Sequence, residues 1–207
     1  ILRVVGTKKQ SLCAFRPDNA SEEIFEAGEK GLYSTIINDV YEDTQKGLWI
    51  ATANGLYRFD RKNRVFTAVL FDQSSTTFAK EARCRVQTLA TQGSTLWIGT
   101  DDGLACIPDV SKGAMERAIT WYPTPSIQGG IFILHQWDNN LFAGVVQAGA
   151  AANTLRFCRV ADIVNTASKQ NNTPIHAKTS NAVPILLLDG TMQRSRMAND
   201  NLGNLWW

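Results

Sequence analysis

The sequence lacks the features that mark several large classes of protein. Its 207 residues include 21 Lys and Arg against 19 Asp and Glu, so the net charge is only +2. Binding to nucleic acid or to anionic lipid needs a surplus of basic residues on one surface, so this balance argues against both kinds of partner. Uninterrupted apolar runs such as 184–188 are much shorter than the ~20 residues that span a bilayer. Membrane attachment would therefore require segments outside this sequence.

Histidine and cysteine are scarce as well. The two histidines, His135 and His176, are far apart in the sequence and offer little material for a histidine-based metal site. The four cysteines, at 13, 84, 106 and 158, do not have the Cys-x-x-Cys spacing of zinc and redox sites. We therefore expect free thiols that act as small hydrophobic residues in strands, and we expect no metal and no cofactor.

The common catalytic motifs are also missing. The sequence has no Gly-x-Ser-x-Gly elbow, no phosphate-binding Gly-x-x-x-x-Gly-Lys, no His-Glu-x-x-His and no dinucleotide fingerprint after a strand. The adjacent carboxylates at Glu42-Asp43 and Asp101-Asp102 are predicted to lie in β-turns, where Asp hydrogen-bonds its own backbone. The stretch 200–204 lacks the Gly position and the downstream Glu of a calcium loop. We expect a protein that binds or senses something and is not an enzyme.

The sequence does contain a repeat. The segment 47–60, which reads Gly-Leu-Trp-Ile-Ala-Thr-Ala-Asn-Gly-Leu-Tyr-Arg-Phe-Asp, returns at 95–108 as Thr-Leu-Trp-Ile-Gly-Thr-Asp-Asp-Gly-Leu-Ala-Cys-Ile-Pro. Trp49 thus recurs as Trp97, and a weaker copy at 141–145 has Phe142 in the Trp position. Residues 4–15 fit the same frame, and residues 200–207 begin another copy that contains Trp206. Such self-similarity at a period of 45 to 48 residues is typical of repeat architectures.

Each repeat unit is predicted to hold four short antiparallel strands. Around Trp49 we predict strands at 35–41, 48–52, 56–59 and 65–70, separated by polar turns. The connection before Gly55 is predicted to be a tight hairpin, because Asn and Gly both tolerate positive φ. Gly and Asn recur every 8 to 12 residues, which is too often for helices. Four strands in one repeat is the size of a β-propeller blade.

The units are predicted to extend over about 1–33, 34–82, 83–128, 129–190 and 191–207, and the last is incomplete. In the unit that contains Phe142 we expect strands at 155–160 and 184–188. Residues 161–167 are predicted to form a helical turn or a loop, and we place a long insertion in the same unit.

The repeated residues resemble the two-component regulator propeller repeat. In that repeat, Asp-x-x-Gly-x-Leu-Trp-Ile-Gly-Thr is followed, after about two variable residues, by Gly-Leu and an aromatic residue. Residues 96–104 match best, while 43–59 has Ala51 in place of Gly and its turn glycine displaced to Gly47. Residues 200–206 match the first half of the pattern in spacing. WD40 repeats are rejected, because the only Trp-Asp pair, at 137–138, is predicted to lie in a turn without the preceding Gly-His.

The resemblance implies an all-β protein built from four-stranded propeller blades, about four of them plus partial units. Complete propellers of the family have about seven blades, so we expect a piece of a larger propeller; a small propeller closed by its first and last half units is the alternative. The resemblance further implies a sensor region, periplasmic or otherwise extracytoplasmic, of a hybrid histidine kinase of the Bacteroidetes type, which perceives a glycan or a small molecule. A scaffold propeller that binds proteins is the other candidate function, and both are compatible with a homodimer.

Structural and ligand-binding positions follow from the same frame. The recurrent aromatic residues are predicted to pack between blades and the recurrent glycines to form turns, at Trp49, Trp97, Phe142, Trp206, Gly55 and Gly103. Ligand contacts are predicted at the connections between second and third strands, which project at one end of the central channel: Lys8, Lys9, Asn54, Asp101, Asp102 and Gln147. Sugar-stacking roles are predicted for three aromatic residues outside the packing position: Trp121, Tyr122 and Trp137.

Overall fold

The described residues of the computed structural model form antiparallel β-sheets with one helix. These residues are 3–6, 12–16, 21–26, 30–34, 36–69, 85–111, 119–123, 130–137, 139–147, 154–168, 185–186, 198–199 and 205–206. The predicted all-β fold of four-stranded antiparallel sheets is confirmed. The described part of the chain holds no helix with the length and apolar character of a membrane span.

The strands belong to five sheets, named A to E in chain order. Sheets B, C and D each have four strands that pair in the order in which they occur along the chain. Sheet A contains β1 (Arg3–Gly6), β2 (Leu12–Arg16) and β3 (Ser21–Phe25); sheet B contains β4 (Ile37–Glu42), β5 (Leu48–Thr52), β6 (Gly55–Asp60) and β7 (Val65–Val69). Sheet C contains β8 (Val86–Gln92), β9 (Thr95–Thr100), β10 (Gly103–Ile107) and β11 (Thr120–Pro123); sheet D contains β12 (Ile131–Trp137), β13 (Asn140–Gln147), β14 (Thr154–Arg159) and β15 (Ile185–Leu186). Sheet E contains β16 (Ala198–Asn199) and β17 (Leu205–Trp206).

The strand predictions for sheets B and D are confirmed, with shifts of one or two residues at the ends. The segment predicted at 184–188 supplies the short fourth strand of sheet D. The predicted helical turn is a helix, α1 (Val160–Ser168), which begins directly after β14. The Trp-Asp pair at 137–138 was predicted to lie in a turn. This is wrong for Trp137, which is the last residue of β12. Asp138 lies outside the described residues.

The recurrent aromatic residue occupies one register position in all three four-stranded sheets. Trp49 pairs with Tyr41 of the first strand in sheet B, and Trp97 pairs with Ala90 in sheet C. In sheet D the corresponding partners are Phe142 and His135. The repeat in the sequence is therefore a repeat in strand register.

Alternation along the second strand decides which neighbouring sheet each side chain contacts. In β5, Leu48 and Ile50 pack with Phe25 and other residues toward sheet A. Trp49 and Ala51 point the other way, into a cluster that contains residues of β8 and β9. Sheet C repeats the arrangement, because Leu96 and Ile98 belong to that same cluster whereas Trp97 packs with residues of sheet D. Sheets A to D therefore stack face to face in chain order.

The first strands of sheets B, C and D carry a bulge at the same repeat position. Register shifts between Ile37 and Asp39, between Val86 and Thr88, and between Ile131 and Ile133. A bulge inserts one extra residue, which bends the strand and increases its twist. The three first strands thus share a local distortion that the apolar pattern of the sequence does not reveal.

Side chains next to these bulges join one sheet to the next. Asp39 Oδ2 accepts the backbone N–H of Leu89 at 2.9 Å, and Thr88 Oγ1 accepts the backbone N–H of Leu134 at 3.3 Å. In each bond the acceptor belongs to the residue that follows the bulge, Asp39 in sheet B and Thr88 in sheet C. The donor N–H belongs to the next sheet, one residue after the position that corresponds to the acceptor. These bonds hold β4, β8 and β12 side by side in chain order.

The helix α1 covers the junction between sheets C and D. Val160 is buried in the cluster that joins these sheets, and Ile163 and Val164 pack against the same cluster. At its first turn, Asp162 forms an ion pair with Arg159 at 3.0 Å. The residues after β14 therefore add hydrophobic contacts to a boundary between two sheets.

The buried residue Asp43 organises the loop between β4 and β5. Its Oδ1 accepts the backbone N–H groups of Gly47 at 2.7 Å and Gln45 at 2.9 Å, and its Oδ2 accepts the indole N–H of Trp49 at 2.8 Å. The prediction that Asp43 hydrogen-bonds its own turn is confirmed. The bond to Trp49 links the turn to the buried aromatic position.

Three of the four cysteines are described, and all three lie in strands. Cys13, Cys106 and Cys158 are thiols and not disulfide halves. Cys106 is 3% exposed and belongs to the core. Cys84 lies outside the described residues.

Candidate ligand-binding site

One end of the sheet stack is built from the connections between second and third strands and the starts of the first strands. A backbone hydrogen bond joins the two segments in each sheet: Ala53 donates to Ile36 in sheet B, and Val146 donates to Gly130 in sheet D. In sheet C, Asp101 donates to the carbonyl of Arg85 at 3.4 Å. Because the bond repeats, the second strands of the three sheets finish at the same end of the stack.

Threonine side chains and glycines shape the hairpins of sheets B and C. Thr100 Oγ1 accepts the N–H of Asp102 at 3.2 Å and donates to the carbonyl of Gly103 at 3.0 Å. Thr52 makes the same two bonds in sheet B, to Asn54 and Gly55. Positive φ is confined to the glycines of these hairpins, +123° at Gly55 and +148° at Gly103. The predicted tight hairpin is confirmed, because Thr52 pairs with Gly55, but Asn54 does not share the positive φ and the threonine hydroxyl bonds across the turn instead.

Asp101 takes part in polar contacts that reach β8. Its Oδ1 accepts a hydrogen bond from Gln87 Nε2 at 2.6 Å, and its Oδ2 lies 3.5 Å from Arg85 Nε. Asp101 and Asp102 do lie in a turn, as predicted, but the Asp101 carboxylate bonds Gln87 and Arg85 and not its own backbone, which corrects that part of the expectation. Arg85 is 59% exposed at its side chain and Asp101 is 24% exposed, so these groups face solvent at the end of the stack.

Sheet D adds an aromatic side chain near the backbone of the sheet C hairpin. Gly130 lies directly against the hairpin of sheet C: a Cβ at this position would come within 2.7 Å of Asp101 Cα and 3.0 Å of Phe132 Cε2. Only glycine lets the two segments approach so closely. Phe132 is partly exposed and packs against a small cluster that contains Ile133 and Val146. We call the group formed by Arg85, Gln87, Asp101 and Phe132 the C–D rim.

The predicted hairpin residues occupy corresponding places in their sheets. Asn54 is exposed at the hairpin of sheet B, and Asp101 and Asp102 form the hairpin of sheet C. Gln147 is the last residue of β13, where its backbone pairs with Thr154. Lys8 and Lys9 lie outside the described residues. The structure brings the described members of this set to one end of the stack.

The three residues predicted to stack on sugars, Trp121, Tyr122 and Trp137, do not lie together with these hairpin residues. Tyr122 packs on Trp97 with ring centroids 6.0 Å apart, and Trp121 packs against the cluster between sheets B and C. Trp137 is 42% exposed, but it ends β12 and so lies at the opposite end of that strand from Gly130. Its ring centroid is 6.0 Å from that of Phe142.

The residues at the recurrent aromatic position differ in how deeply they are buried. Trp49 is completely buried and Trp97 is partly buried, each facing the next sheet. Phe142 is half-buried on the opposite face of β13 from Leu141 and Ala143, which pack toward sheet C. Trp206 belongs to β17, where its backbone pairs with Ala198.

Sequence reasoning missed Arg85, Gln87, Gly130 and Phe132 as site residues. The signal that could have found them is the register of the first strands. Residues 36, 85 and 130 each accept the backbone bond from the second strand or its hairpin, and residues 38, 87 and 132 each lie at the bulge. Chemically, the C–D rim offers N–H donors, a carboxylate and part of an aromatic ring. Within the described ranges, no three His, Cys, Asp or Glu side chains are grouped so that they could hold a metal ion.

No protein-family model matches this chain, and no curated protein matches it. The chain is similar to the extracellular domain of the putative hybrid two component system BT4673 from B. thetaiotaomicron, with a TM-score of 0.63 and 18% identity. A second structure, the extracellular domain of the putative one component system BT4673 from the same organism, has a TM-score of 0.59 and 15% identity. Each similarity covers 95% of this chain but only 23% of the other chain. At these identities the similarity concerns the fold, and the chain spans about a quarter of those domains.

Proposed function

We propose that this chain is part of a β-propeller that forms the extracytoplasmic, ligand-sensing region of a two-component signalling receptor. The observation that carries the proposal is that Leu-Trp-Ile-Ala-Thr at 48–52 recurs as Leu-Trp-Ile-Gly-Thr at 96–100, in sheets that stack in chain order. In this interpretation, sheets A to E are successive blades and the bulged strands β4, β8 and β12 line the axis. The fold similarity to extracellular domains of B. thetaiotaomicron systems supports the location and the signalling role.

The geometry supports binding, and the proposal assigns no catalytic step to this chain. Propeller ligands approach the loops at one end of the axis, and the hairpins of sheets B and C lie together at one such end. A glycan or another small molecule is the proposed ligand. Signalling through a membrane to a histidine kinase would depend on parts of the receptor outside this sequence.

Location is tested by labelling intact cells. We replace the exposed hairpin residue Asn54 with cysteine in the full-length protein and treat spheroplasts with a membrane-impermeant maleimide. Labelling as strong as in lysed cells is expected, with the unsubstituted protein as the control for the native thiols. Labelling only after lysis would place the chain on the cytoplasmic side and overturn the proposal.

Sensing is tested by transcription in the host. A panel of oligosaccharides and monosaccharides is screened for a transcriptional response that disappears when the gene is deleted. At least one compound should give such a response. A panel without any gene-dependent response, together with recovery of a stoichiometric protein partner by affinity purification, would favour a scaffold propeller instead.

A further inference from the structure

Asn54 and Gly55 form the only Asn-Gly pair of the sequence, and Asn54 is exposed at the hairpin of sheet B. Asparagine is one of the chemically labile residues of proteins. When glycine follows it, the glycine backbone nitrogen can attack the asparagine side-chain carbon, because no Cβ stands in the way. A five-membered succinimide forms and ammonia leaves. Whether a folded chain permits this attack depends on what surrounds the asparagine and the glycine.

The side-chain amide of Asn54 is not held in place by hydrogen bonds. The backbone N–H of Asn54 donates to Thr52 Oγ1 at 3.0 Å, and its carbonyl accepts the hydroxyl of Tyr57 at 3.2 Å. Within the described part of the chain, its side-chain amide makes no hydrogen bond. Asn63 is exposed as well, but its Nδ2 donates to Asp60 at 2.8 Å. The side chain of Asn54 can therefore turn toward the next backbone nitrogen.

The space around Gly55 is open. A Cβ at this glycine would come no closer than 3.7 Å to an atom beyond its chain neighbours, and that atom is Cε2 of Tyr57. At Gly99 and at Gly130, by contrast, a Cβ would lie 2.7 Å from an atom of a neighbouring sheet. Neighbouring sheets therefore do not confine the peptide between Asn54 and Gly55, and the cyclic form has room to close.

The hairpin of sheet C already carries the residue that deamidation would produce in sheet B. Thr100 bonds its hairpin as Thr52 does, so Asp102 is the residue equivalent to Asn54. An aspartate at position 54 therefore fits the hairpin backbone. An isoaspartate does not, because it adds the side-chain Cβ to the main chain and displaces Gly55 from its pairing with Thr52.

We propose that Asn54 is a site of spontaneous deamidation in the folded protein. The Gly55 nitrogen loses its proton and forms a bond to Asn54 Cγ, and the amide nitrogen leaves as ammonia. Water then opens the succinimide to aspartate or isoaspartate. Each event lowers the net charge of +2 by one unit and places a carboxylate on the exposed hairpin of sheet B. This inference does not depend on the proposed sensing function.

Peptide mapping by mass spectrometry tests the proposal on the folded, full-length protein after prolonged incubation at pH 8.5. The peptide that contains Asn54 should gain the mass difference between an amide and a carboxyl group. The gain should be slower at pH 6, because the attacking nitrogen must lose its proton. The internal control is Asn140, which is also exposed but is followed by Leu141 and should keep its amide.

Two further measurements identify the products. An isoaspartyl methyltransferase with S-adenosylmethionine should methylate the incubated protein but not Asn54→Gln, because glutamine would have to close a six-membered ring. Asn54→Asp should unfold within a few degrees of the fresh protein, whereas the fraction that contains isoaspartate should unfold at a lower temperature.

Two results would overturn the proposal. If the Asn54 peptide changes mass only when the chain is unfolded in urea, the hairpin protects the asparagine. If Asn54 and Asn140 lose their amides at the same rate, the following glycine and its open surroundings have no part in the reaction.

Discussion

Asp43 and Trp49 illustrate how one residue supports another across a turn. The carboxylate is 2% exposed and satisfies two backbone N–H groups and the indole N–H of a fully buried tryptophan. The corresponding turn of sheet C, between β8 and β9, has a different structure. Gln92 and Thr95 pair directly, and Gly93 adopts a φ of +62° in a two-residue hairpin. Among the described residues, Trp97 Nε1 has no hydrogen-bond partner. The second copy thus keeps the tryptophan and loses its acceptor.

Replacing Asp43 with alanine should therefore lower the free energy of unfolding by about 3 kcal/mol, because buried N–H donors lose their acceptor. Urea unfolding followed by tryptophan fluorescence measures the change. The matched control is Gln92→Ala, which alters the equivalent register position of sheet C at an exposed site and should cost about 0.5 kcal/mol or less. Equal effects of the two substitutions would contradict the role given to Asp43.

Cys106 and Tyr122 give the fold a sensitivity to alkaline pH. Burial raises the pKa of the Cys106 thiol above its usual 9.0, and burial also raises the pKa of Tyr122 above 10.0. The unfolded chain loses these protons first, so ionisation favours unfolding. The free energy of unfolding should be constant below about pH 8 and should fall as the pH rises through 9 toward the folded-state pKa values.

Denaturant unfolding at pH 7.5 and at pH 10 measures this fall. Cys106→Ala should unfold more easily at both pH values, yet its loss of stability between them should be smaller than that of the unsubstituted protein. If Cys106→Ala and the unsubstituted protein lose the same free energy of unfolding between pH 7.5 and pH 10, Cys106 ionises as easily in the folded chain as in the unfolded one.

At the scale of the strand, the spacing between neighbouring sheets decides where the repeat needs glycine. Gly99 in β9 faces sheet D, and a Cβ there would lie 2.7 Å from the carbonyl oxygen of Ile131. Ala51 is the equivalent residue of β5 and is completely buried with its methyl group in the cluster between sheets B and C. Sheets C and D therefore approach more closely than sheets B and C at this repeat position.

Gly99→Ala should accordingly destabilise the protein by about 2 kcal/mol, because the backbone carbonyl of Ile131 must move to admit a methyl group. Ala51→Gly is the matched control at the equivalent position, and it should cost about 1.5 kcal/mol through backbone entropy and the loss of one buried methyl group. Both values come from chemical denaturation. A neutral Gly99→Ala would show that the close approach of the two sheets is not needed.

At the scale of the whole molecule, stability is shared between neighbouring sheets. The cluster around Trp49 contains Val86 and Ile98 of sheet C, and the cluster around Leu104 contains residues of sheet D and of α1. Sheets B and C therefore each have their two faces covered by different neighbours, as in repeat proteins with nearest-neighbour coupling. Loss of one interface should weaken the two sheets that share it.

Trp49→Ala should thus cost about 3–5 kcal/mol and lower the hydrogen-exchange protection of β8, β9 and β10 as well as that of sheet B. Mass spectrometry of exchanged peptides measures the protection of each strand. Phe142→Ala is the control, because Phe142 is only half-buried and faces away from sheet C, so sheet B should keep its protection. Effects of Trp49→Ala that stop within sheet B would contradict coupling across the interface.

Local patterns were sufficient for much of the fold. The β-branched and aromatic runs around Trp49 and the glycines after polar pairs predicted strands to within one or two residues, since both signals depend on neighbours in the chain. The polar contacts of the site could not be predicted in this way. Thr100 closes the turn attributed to Asp101, and Asp101 instead contacts Gln87, fourteen residues earlier in the chain.

By itself, the sequence determined the repeat, the strand order within each unit and the burial of Trp49, because strand propensity, turn chemistry and the alternation of side chains act over a few residues. Only the tertiary structure decided which face of each strand meets which sheet, where the first strands bulge, and that Gly130 lies directly against the Asp101 hairpin with the Phe132 ring nearby. Those contacts join residues about thirty to fifty positions apart in the chain, and their geometry depends on how closely the sheets stack.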